Sequence, residues 1–187
     1  MQTRSGMSLD SFHWGSINFC KSYEKFKSSI VLLSRTVLQM NDMIKIRNFK
    51  KGDMQTILDI EYQCFSDPYP LSLLNRLYET YPDGFLVAEL NGKVVGYIIG
   101  AVRWGGYGHI LAIAVDIEHR KMGVGTALAL NMLERFRSKG VKTVRLEVRK
   151  SNMTARNFYL KLGFKEREEI PYYYEDGESA IVMIYDL

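Results

Sequence analysis

Apolar and polar residues repeat with regular periods from MIKIRNF (43–49) onward, and these periods predict strands and helices. MIKIRNF itself alternates apolar and polar residues, as a strand does. The segment GDMQTILDIEYQCF (52–65) carries apolar residues at helical spacing, with Asp53 near its start. The prolines of FSDPYP (65–70) end that helix, because proline disfavours a helical backbone at the preceding residue. A second short helix is expected at about 71–80.

Strands dominate the middle of the chain. The dipeptide Asn91-Gly92 is a strong hairpin signal between two strands. The longest apolar run, residues 94–102, contains two glycines and is far shorter than the roughly 18 residues of a membrane span, so it predicts a buried strand. Three strands are therefore expected: GFLVAEL (84–90), VVGYIIGAVRW (94–104) and YGHILAIAVD (107–116).

The C-terminal part predicts a helix, a strand, a second helix and two further strands. The first helix follows a glycine turn and runs to about Lys139, where Gly140 stops it. The second helix starts at a Ser-Asn cap and ends at a glycine. The segments are VKTVRLEVRK (141–150), SNMTARNFYLKLG (151–163), FKEREEI (164–170) and SAIVMIYDL (179–187), with PYYYEDGE joining the last two.

Residues 1–42 lack this regularity and are expected to form an N-terminal extension to a domain at 43–187. Residues 17–39 have partial helical periodicity and one acidic residue. They could form an added helix, reflect a misassigned start (Met40 and Met43 are both available), or act as a targeting segment. A secretory signal is not expected, because no apolar core is followed by a small-residue cleavage site.

Composition and charge narrow the possible partners. The 187 residues are 47% hydrophobic and 25% charged, which is typical of a globular protein. Basic and acidic residues interleave beyond residue 42, so the net charge of +4 does not predict nucleic-acid binding. Two distant cysteines, Cys20 and Cys64, suit a reducing cytoplasm and predict neither a disulfide framework nor a metal site. We expect a cytoplasmic protein without a membrane partner.

The segment HRKMGVGTALALNML (119–133) places two glycines where a helix begins. Free backbone N–H groups and the helix dipole at such a start favour phosphate, and the neighbouring Arg120 and Lys121 add positive charge. A Walker loop requires Lys-Ser/Thr after its last glycine, whereas Thr126 follows Gly125. A dinucleotide fingerprint requires a small third residue where Leu128 stands. A glycine-rich turn before an ordinary helix remains an alternative.

The remaining pattern, R-x-x-G-x-G, resembles the acetyl-CoA pyrophosphate loop of the GCN5-related N-acetyltransferases (GNAT). It comprises Arg120, Gly123 and Gly125 after the strand LAIAV. Further motifs resemble protein N-terminal acetyltransferases, including archaeal enzymes similar to ribosomal-protein alanine acetyltransferases. These motifs are CFSDPYP (64–70), Gly-His-Ile (108–110), LEVRKSNMTARNFYLKLGF (146–164) and YYYEDGESAIVM (172–183).

The resemblance covers residues 43–187 and implies a GNAT acetyltransferase domain of the mixed α/β (α+β) class. It implies a central mixed, mostly antiparallel sheet of about six to seven strands, flanked by about four helices and splayed at the acetyl-CoA site. The implied reaction is direct transfer of acetyl from acetyl-CoA to the free α-amine of a protein or peptide N-terminus, without a metal. Nascent chains at the ribosome are one candidate acceptor; the oligomeric state is not predicted.

The resemblance also implies which residues contact the coenzyme. Main-chain groups of one strand would bind the pantetheine arm, and those of the glycine loop would bind the pyrophosphate. Asn152 matches a coenzyme contact and could equally be a plain helix cap. The strand residues are Ile113, Ala114 and Val115, whose side chains also suit a core; the loop residues are Arg120, Lys121, Met122, Gly123, Val124, Gly125 and Thr126.

Acetyl transfer needs a base for the amine and stabilisation of the departing thiolate. Alternation places Arg145, Glu147 and Arg149 on one face of their strand. The resemblance implies that Glu147 is the base, that His109 shares this role and that Tyr159 is the general acid. The alternatives are a solvated acid between two arginines, a structural histidine and a core tyrosine.

Two segments match the walls of a peptide groove in the same family. Tyrosines suit such walls because they join an apolar ring to a polar tip, although adjacent tyrosines could instead form a surface turn. Pro171 and Ser179 depart from the family pattern beside the second wall. The wall residues are Phe65, Asp67, Pro68, Tyr69, Tyr173 and Tyr174.

Two other functions stay open at the level of sequence. The same fold could acetylate a lysine side chain or a small amine such as a polyamine. It could also be a coenzyme-binding partner subunit without turnover. The YYYEDGESA tail disfavours the first alternative, and retention of Glu147, His109 and Tyr159 disfavours the second.

Overall fold

A computed structural model describes residues 43–187; the predicted N-terminal extension, residues 1–42, lies outside the described residues. Each helix and strand that the sequence predicts in this region is present. None of the helices between residues 43 and 187 is long and apolar enough to cross a bilayer. The elements are β1 (Ile44–Asn48), α1 (Met54–Cys64), α2 (Leu71–Thr80), β2 (Phe85–Leu90), β3 (Lys93–Val102), β4 (Gly108–Val115), α3 (Val124–Ser138), β5 (Thr143–Arg149), α4 (Met153–Leu162), β6 (Lys165–Ile170) and β7 (Ala180–Asp186).

The seven strands form one sheet in the order β1-β2-β3-β4-β5-β7-β6. Every neighbouring pair is antiparallel except β4 and β5, which confirms the expected mixed, mostly antiparallel sheet. The parallel pairing of β4 with β5 consists of only Gly108 with Val144 and His109 with Arg145. Beyond these two pairs the strands separate, so the expected splay is also present.

A β-bulge lies in β4 where it leaves β5. Ile99 of β3 pairs with Ala112 and Gly100 pairs with Ile110, so Leu111 is the extra residue. Leu111 and Ala112 both pack on the core under α1 and α2, whereas Ile113 packs on the core under α3 and α4. Bulges bend a strand and increase its twist, and this one changes the direction of β4 at the gap.

Glycines of the sheet let α3 pack close to β3 and β4. A Cβ on Gly108 would lie 2.8–3.0 Å from three atoms of the Phe136 ring, and Phe136 itself is buried. A Cβ on Gly100 would approach Met132 and Phe136 to 2.7–2.8 Å. The distance between α3 and the sheet therefore depends on these glycines. The position of the loop that precedes α3 depends on them as well.

One acidic residue is buried in α1. Glu61 is 1% exposed, and its Oε2 accepts a hydrogen bond from the backbone N–H of Tyr69 at 2.7 Å. Its Oε1 has no hydrogen-bond partner among residues 43–187. Burial raises the pKa of Glu61 to about 7, although the Tyr69 hydrogen bond acts in the opposite direction. Glu61 thus connects the segment after α1 to the core through a carboxyl group that titrates near neutral pH.

The Gly108→Ala variant should lose about 1–3 kcal/mol of unfolding free energy, because the added methyl group overlaps the rigid Phe136 ring. Urea denaturation measures this loss. Gly52→Ala is the matched control, since a Cβ there meets nothing within 4 Å. Equal stability of the two variants would show that α3 does not depend on this close approach.

The Glu61→Gln variant should gain stability relative to the wild type as pH rises from about 4.5 to about 7. In this window the unfolded-state carboxyl ionises while the buried one keeps its proton, so the wild type loses stability until pH passes the folded-state pKa. The gain should approach about 3 kcal/mol and then level off. Urea titrations from pH 4 to pH 8 test this, with the exposed Glu134→Gln as control. A difference independent of pH would contradict it.

Candidate active site

The loop between β4 and α3 adopts an unusual backbone conformation. Asp116 accepts hydrogen bonds from the N–H of Glu118 at 3.0 Å and from His119 Nδ1 at 2.7 Å, which caps the short 3-10 turn Ile117–His119. Lys121 and Gly123 then take positive φ values of 62° and 87°. This left-handed backbone turns the chain into the N-terminus of α3, so Gly123 is required for conformational reasons.

The six backbone N–H groups of residues 121–126 have no acceptor among residues 43–187; the first N–H that bonds is that of Ala127, to Gly123. Such a row at a helix N-terminus is suited to bind an anion. A Cβ on Gly125 would lie 3.5 Å from Phe158, an ordinary contact, so packing does not require glycine there. A ligand that approaches the backbone closely would require it.

The Arg120 side chain is already bound to the protein. Its Nε donates to the carbonyl of Val115 at 3.2 Å, and its Nη2 lies 3.1 Å from Cys64 Sγ. The Cys64 thiol also donates to the Val115 carbonyl at 3.4 Å. Arg120 therefore connects the loop to the end of β4 and the end of α1, which fits the expectation that this loop contributes mainly main-chain groups.

The backbone of β4 faces the gap. Ile113, Ala114 and Val115 pair with β3 on one side and have no partner strand on the β5 side. Across the gap, Asn152 Oδ1 accepts the N–H of Ala155 at 3.0 Å. Asn152 is thus a helix cap, as one of the alternatives held; its contact with a coenzyme stays a prediction.

Glu147 and His109, both predicted from the sequence, meet beside the gap. Glu147 Oε2 lies 2.6 Å from His109 Nε2, and Oε1 accepts a hydrogen bond from Arg145 Nε at 2.5 Å. The Glu147 side chain is only 8% exposed. The alternative of a solvated acid between two arginines is therefore wrong, since this carboxylate is mostly buried and bonded at both oxygens.

Opposing effects set the pKa of Glu147. Burial acts to raise this pKa, but the hydrogen bonds from His109 and Arg145 and the charge of Arg145 together lower it by more, so the net shift is downward. The carboxylate is therefore ionised at neutral pH and can accept a hydrogen bond or a proton. A buried carboxylate without these partners would instead be driven to its neutral form.

Tyr159 of α4 lies in the core with its ring 5.1 Å from that of Phe158 and 5.6 Å from that of Phe164. It is 6% exposed. Burial, with a smaller effect from Tyr174, raises the pKa of Tyr159 above its ordinary value. The phenol therefore keeps its proton at neutral pH. The core interpretation is correct for the ring, and the hydroxyl can act as a donor.

One tyrosine from each predicted wall lies near Glu147. The Tyr69 hydroxyl donates to the Leu111 carbonyl at 3.4 Å. Burial raises the pKa of Tyr69, and the nearby carboxyl groups of Glu61, Asp67 and Glu147 raise it further. Burial and Glu147 likewise raise the pKa of Tyr173, which is 47% exposed. Tyr69 and Tyr173 are thus both close enough to Glu147 to be affected by its charge.

Arg149 holds the second wall, a role that sequence reasoning missed. Its guanidinium lies 4.0 Å from the centre of the Tyr174 ring and donates to Asp176 at 2.7 Å and Glu178 at 2.8 Å. Glu178 also accepts the N–H of Ser151 at 2.8 Å. The strand that carries Glu147 therefore also holds the segment that carries Tyr173 and Tyr174. Alternation placed Arg149 on this face, but only the folded turn brings it these partners.

Arg103 is a second functional candidate that sequence reasoning missed. Its Nε donates to His109 Nδ1 at 3.3 Å, and its Nη1 donates to the Tyr81 hydroxyl at 3.0 Å. Arg103 lies in the turn between β3 and β4, six residues from His109. The sequence predicts the two strands, but it does not specify where the side chain of an arginine between them points.

Comparisons with known proteins agree with this geometry. The family described as "Acetyltransferase (GNAT) family" matches residues 54–164. An uncharacterized N-acetyltransferase of Methanocaldococcus jannaschii is 47% identical over 141 residues, covering 74% of this chain and 89% of that protein. An N-alpha-acetyltransferase of Sulfurisphaera tokodaii is 36% identical over 151 residues, covering 74% and 90%.

A solved structure shows the same arrangement of elements. Ard1 from Thermoplasma volcanium superposes with a TM-score of 0.75 and 34% identity, covering 78% of this chain and 98% of that chain. Nearly the whole Ard1 chain is therefore matched by a part of this chain that is about as long as residues 43–187. Sequence, sheet topology and relatives agree, and the chain belongs to the GNAT family of acetyltransferases.

Proposed function

We propose that the protein transfers an acetyl group from acetyl-CoA to the free α-amine of protein or peptide N-termini. The observation that carries this proposal is the buried Glu147 carboxylate beside the gap between β4 and β5, bonded to His109 and Arg145 and close to Tyr69 and Tyr173. Relatives named N-alpha-acetyltransferase, at 31–36% identity, support the same acceptor.

The residues around the gap fit acetyl-CoA. The free N–H groups of 121–126 suit a pyrophosphate, and the absence of a side chain at Gly125 leaves its backbone accessible. The unpaired edge formed by Ile113, Ala114 and Val115 offers main-chain partners to the amides of a pantetheine arm. When bound, acetyl-CoA supplies an electrophilic thioester carbonyl carbon and a thiolate leaving group.

Glu147 is assigned to the proton of the acceptor amine. A peptide α-amine has a pKa near 8, so a substantial fraction is neutral at physiological pH. As the N–C bond forms, the nitrogen becomes strongly acidic and its proton passes to Glu147, directly or through one water. His109 and Arg145 hold the two carboxylate oxygens, so the acceptor of the proton has a fixed direction.

Tyr159 is assigned to the sulfur that departs as the C–S bond breaks. Its raised pKa means that the phenol holds its proton more tightly than a thiol, for which about 8.5 is ordinary. Tyr159 therefore stabilises the departing sulfur by donating a hydrogen bond while the C–S bond breaks. Coenzyme A leaves as a thiolate that takes a proton from solvent, and Glu147 releases the amine proton to solvent. This role uses the hydroxyl alone, which is why the ring can remain core.

Labelled acetyl-CoA and a panel of peptides that differ in their first two residues test this function. Transfer is expected to free N-termini and not to N-terminally blocked peptides with an internal lysine. Glu147→Gln should lower kcat at least about 100-fold, the usual size of acid–base effects, whereas the exposed Glu134→Gln should not. Transfer to the internal lysine or to a polyamine would replace the proposed acceptor. Coenzyme binding without any transfer would indicate a coenzyme-binding regulatory subunit instead of an enzyme.

The Gly125→Ala variant separates coenzyme binding from folding. Its methyl group fits beside Phe158, so the free energy of unfolding should stay within about 0.5 kcal/mol of the wild type. The same methyl group lies on the proposed phosphate site, so the Kd for acetyl-CoA should rise at least ~10-fold. Calorimetric titration measures this change, and Gly52→Ala controls for an added methyl group elsewhere. An unchanged Kd would show that this loop does not bind the pyrophosphate.

A further inference from the structure

The side chain of Arg103 is directed at His109 by the tight turn between β3 and β4. The N–H of Arg103 donates to the Tyr107 carbonyl at 2.9 Å, and its carbonyl accepts the N–H of Gly106 at 3.0 Å. The guanidinium is held from the other side by the Tyr81 hydroxyl at 3.0 Å and lies 5.9 Å from the centre of that ring. Arg103 is thus anchored at its backbone and at its tip.

The contacts of His109 with Arg103 and with Glu147 together determine where the imidazole proton lies. Arginine Nε always carries a hydrogen, so the 3.3 Å contact requires a lone pair on Nδ1. The ring hydrogen of a neutral His109 is then on Nε2, which points at Glu147 Oε2 at 2.6 Å. Both ring nitrogens are occupied, and the ring donates to Glu147 without a free lone pair for the amine.

We propose that Arg103 is a positioning residue for acetyl transfer: it holds His109 as the Nε2–H tautomer, so that His109 orients Glu147 and Glu147 alone accepts the amine proton. The kinetic part of this inference rests on the proposed function, whereas the tautomer does not. It refines the sequence-based expectation that His109 shares the role of base, because here the histidine acts on the acceptor through the carboxylate.

Several charged or titratable groups surround the His109–Glu147 pair and must be considered in any pH experiment. Arg145 bonds Glu147 and also lies 3.6 Å from Glu168 on β6. The ring of Tyr107 lies 6.4 Å from that of His109. The remaining groups are Arg103 and Tyr81 on the side of Nδ1, and Tyr69 and Tyr173 near Glu147.

The first test is the tautomer itself, read from the ¹⁵N resonances of His109 in the full chain labelled at histidine and recorded at pH 8. The chain has three histidines, and His109→Gln assigns the signals. We expect a protonated Nε2 and an unprotonated Nδ1 in the wild type, and a second population with a proton on Nδ1 in Arg103→Met. A protonated Nδ1 in the wild type would overturn the proposal whether or not the protein acetylates peptides.

The second test is the pH dependence of kcat at saturating peptide. Without Arg103 a proton can settle on Nδ1, and the resulting imidazolium makes Glu147 a poorer acceptor. Arg103→Met should therefore lower kcat roughly tenfold, less than loss of the base itself, and move the acid limb to higher pH, with the KM for acetyl-CoA unchanged. Arg103→Lys, which keeps a donor, should recover most of both, and the exposed Arg76→Met should behave as the wild type. A wild-type pH profile in Arg103→Met would refute the role.

Discussion

The separation of β4 from β5 after two residue pairs is the constraint on which the rest of the structure depends. In a continuous sheet, the backbone groups of Ile113–Val115 that point away from β3 would pair with a neighbouring strand. Because the strands part, this edge has no strand partner, and the bulge at Leu111 turns β4 away at the same place. Gly108 and His109 are the last positions of β4 that pair with β5, so His109 stands where the gap opens. The gap thus lies between the free edge of β4 and the His109–Glu147 pair.

Two buried carboxylates show how partners decide the use of a charge. Glu147 has positive or hydrogen-bonding partners at both oxygens, and its pKa is lowered in spite of burial. Glu61 has one backbone N–H, from Tyr69, and its pKa rises to about 7. The first is kept ionised, as the proposed proton transfer requires. The second supports the wall that carries Tyr69, and a neutral carboxyl is sufficient for that.

Much of this fold and part of the site follow from the sequence, for identifiable reasons. Strand and helix periods are local properties, and the motifs around Gly123, Glu147 and Tyr159 are short enough to read directly. Arg103 could not be found in this way, since its partner is chosen by a turn and by side-chain direction. Arg149 lay on a predicted face, but the turn that brings it Tyr174, Asp176 and Glu178 is tertiary. Buried Glu61 looked like any polar position of an amphipathic helix.

Three glycines near the gap are needed for different physical reasons. Glycine is needed at position 108 because Phe136 lies against it, and at position 123 because the backbone there is left-handed. Neither reason applies to Gly125. The sequence places these glycines in motifs but does not show which physical constraint excludes a side chain at each. The structure shows that a Cβ on Gly125 would make only ordinary contacts with the protein. A closely bound ligand therefore explains the glycine at this position better than the fold does. The structure thus supplies a physical reason for the role in phosphate binding that the motif predicts for this loop.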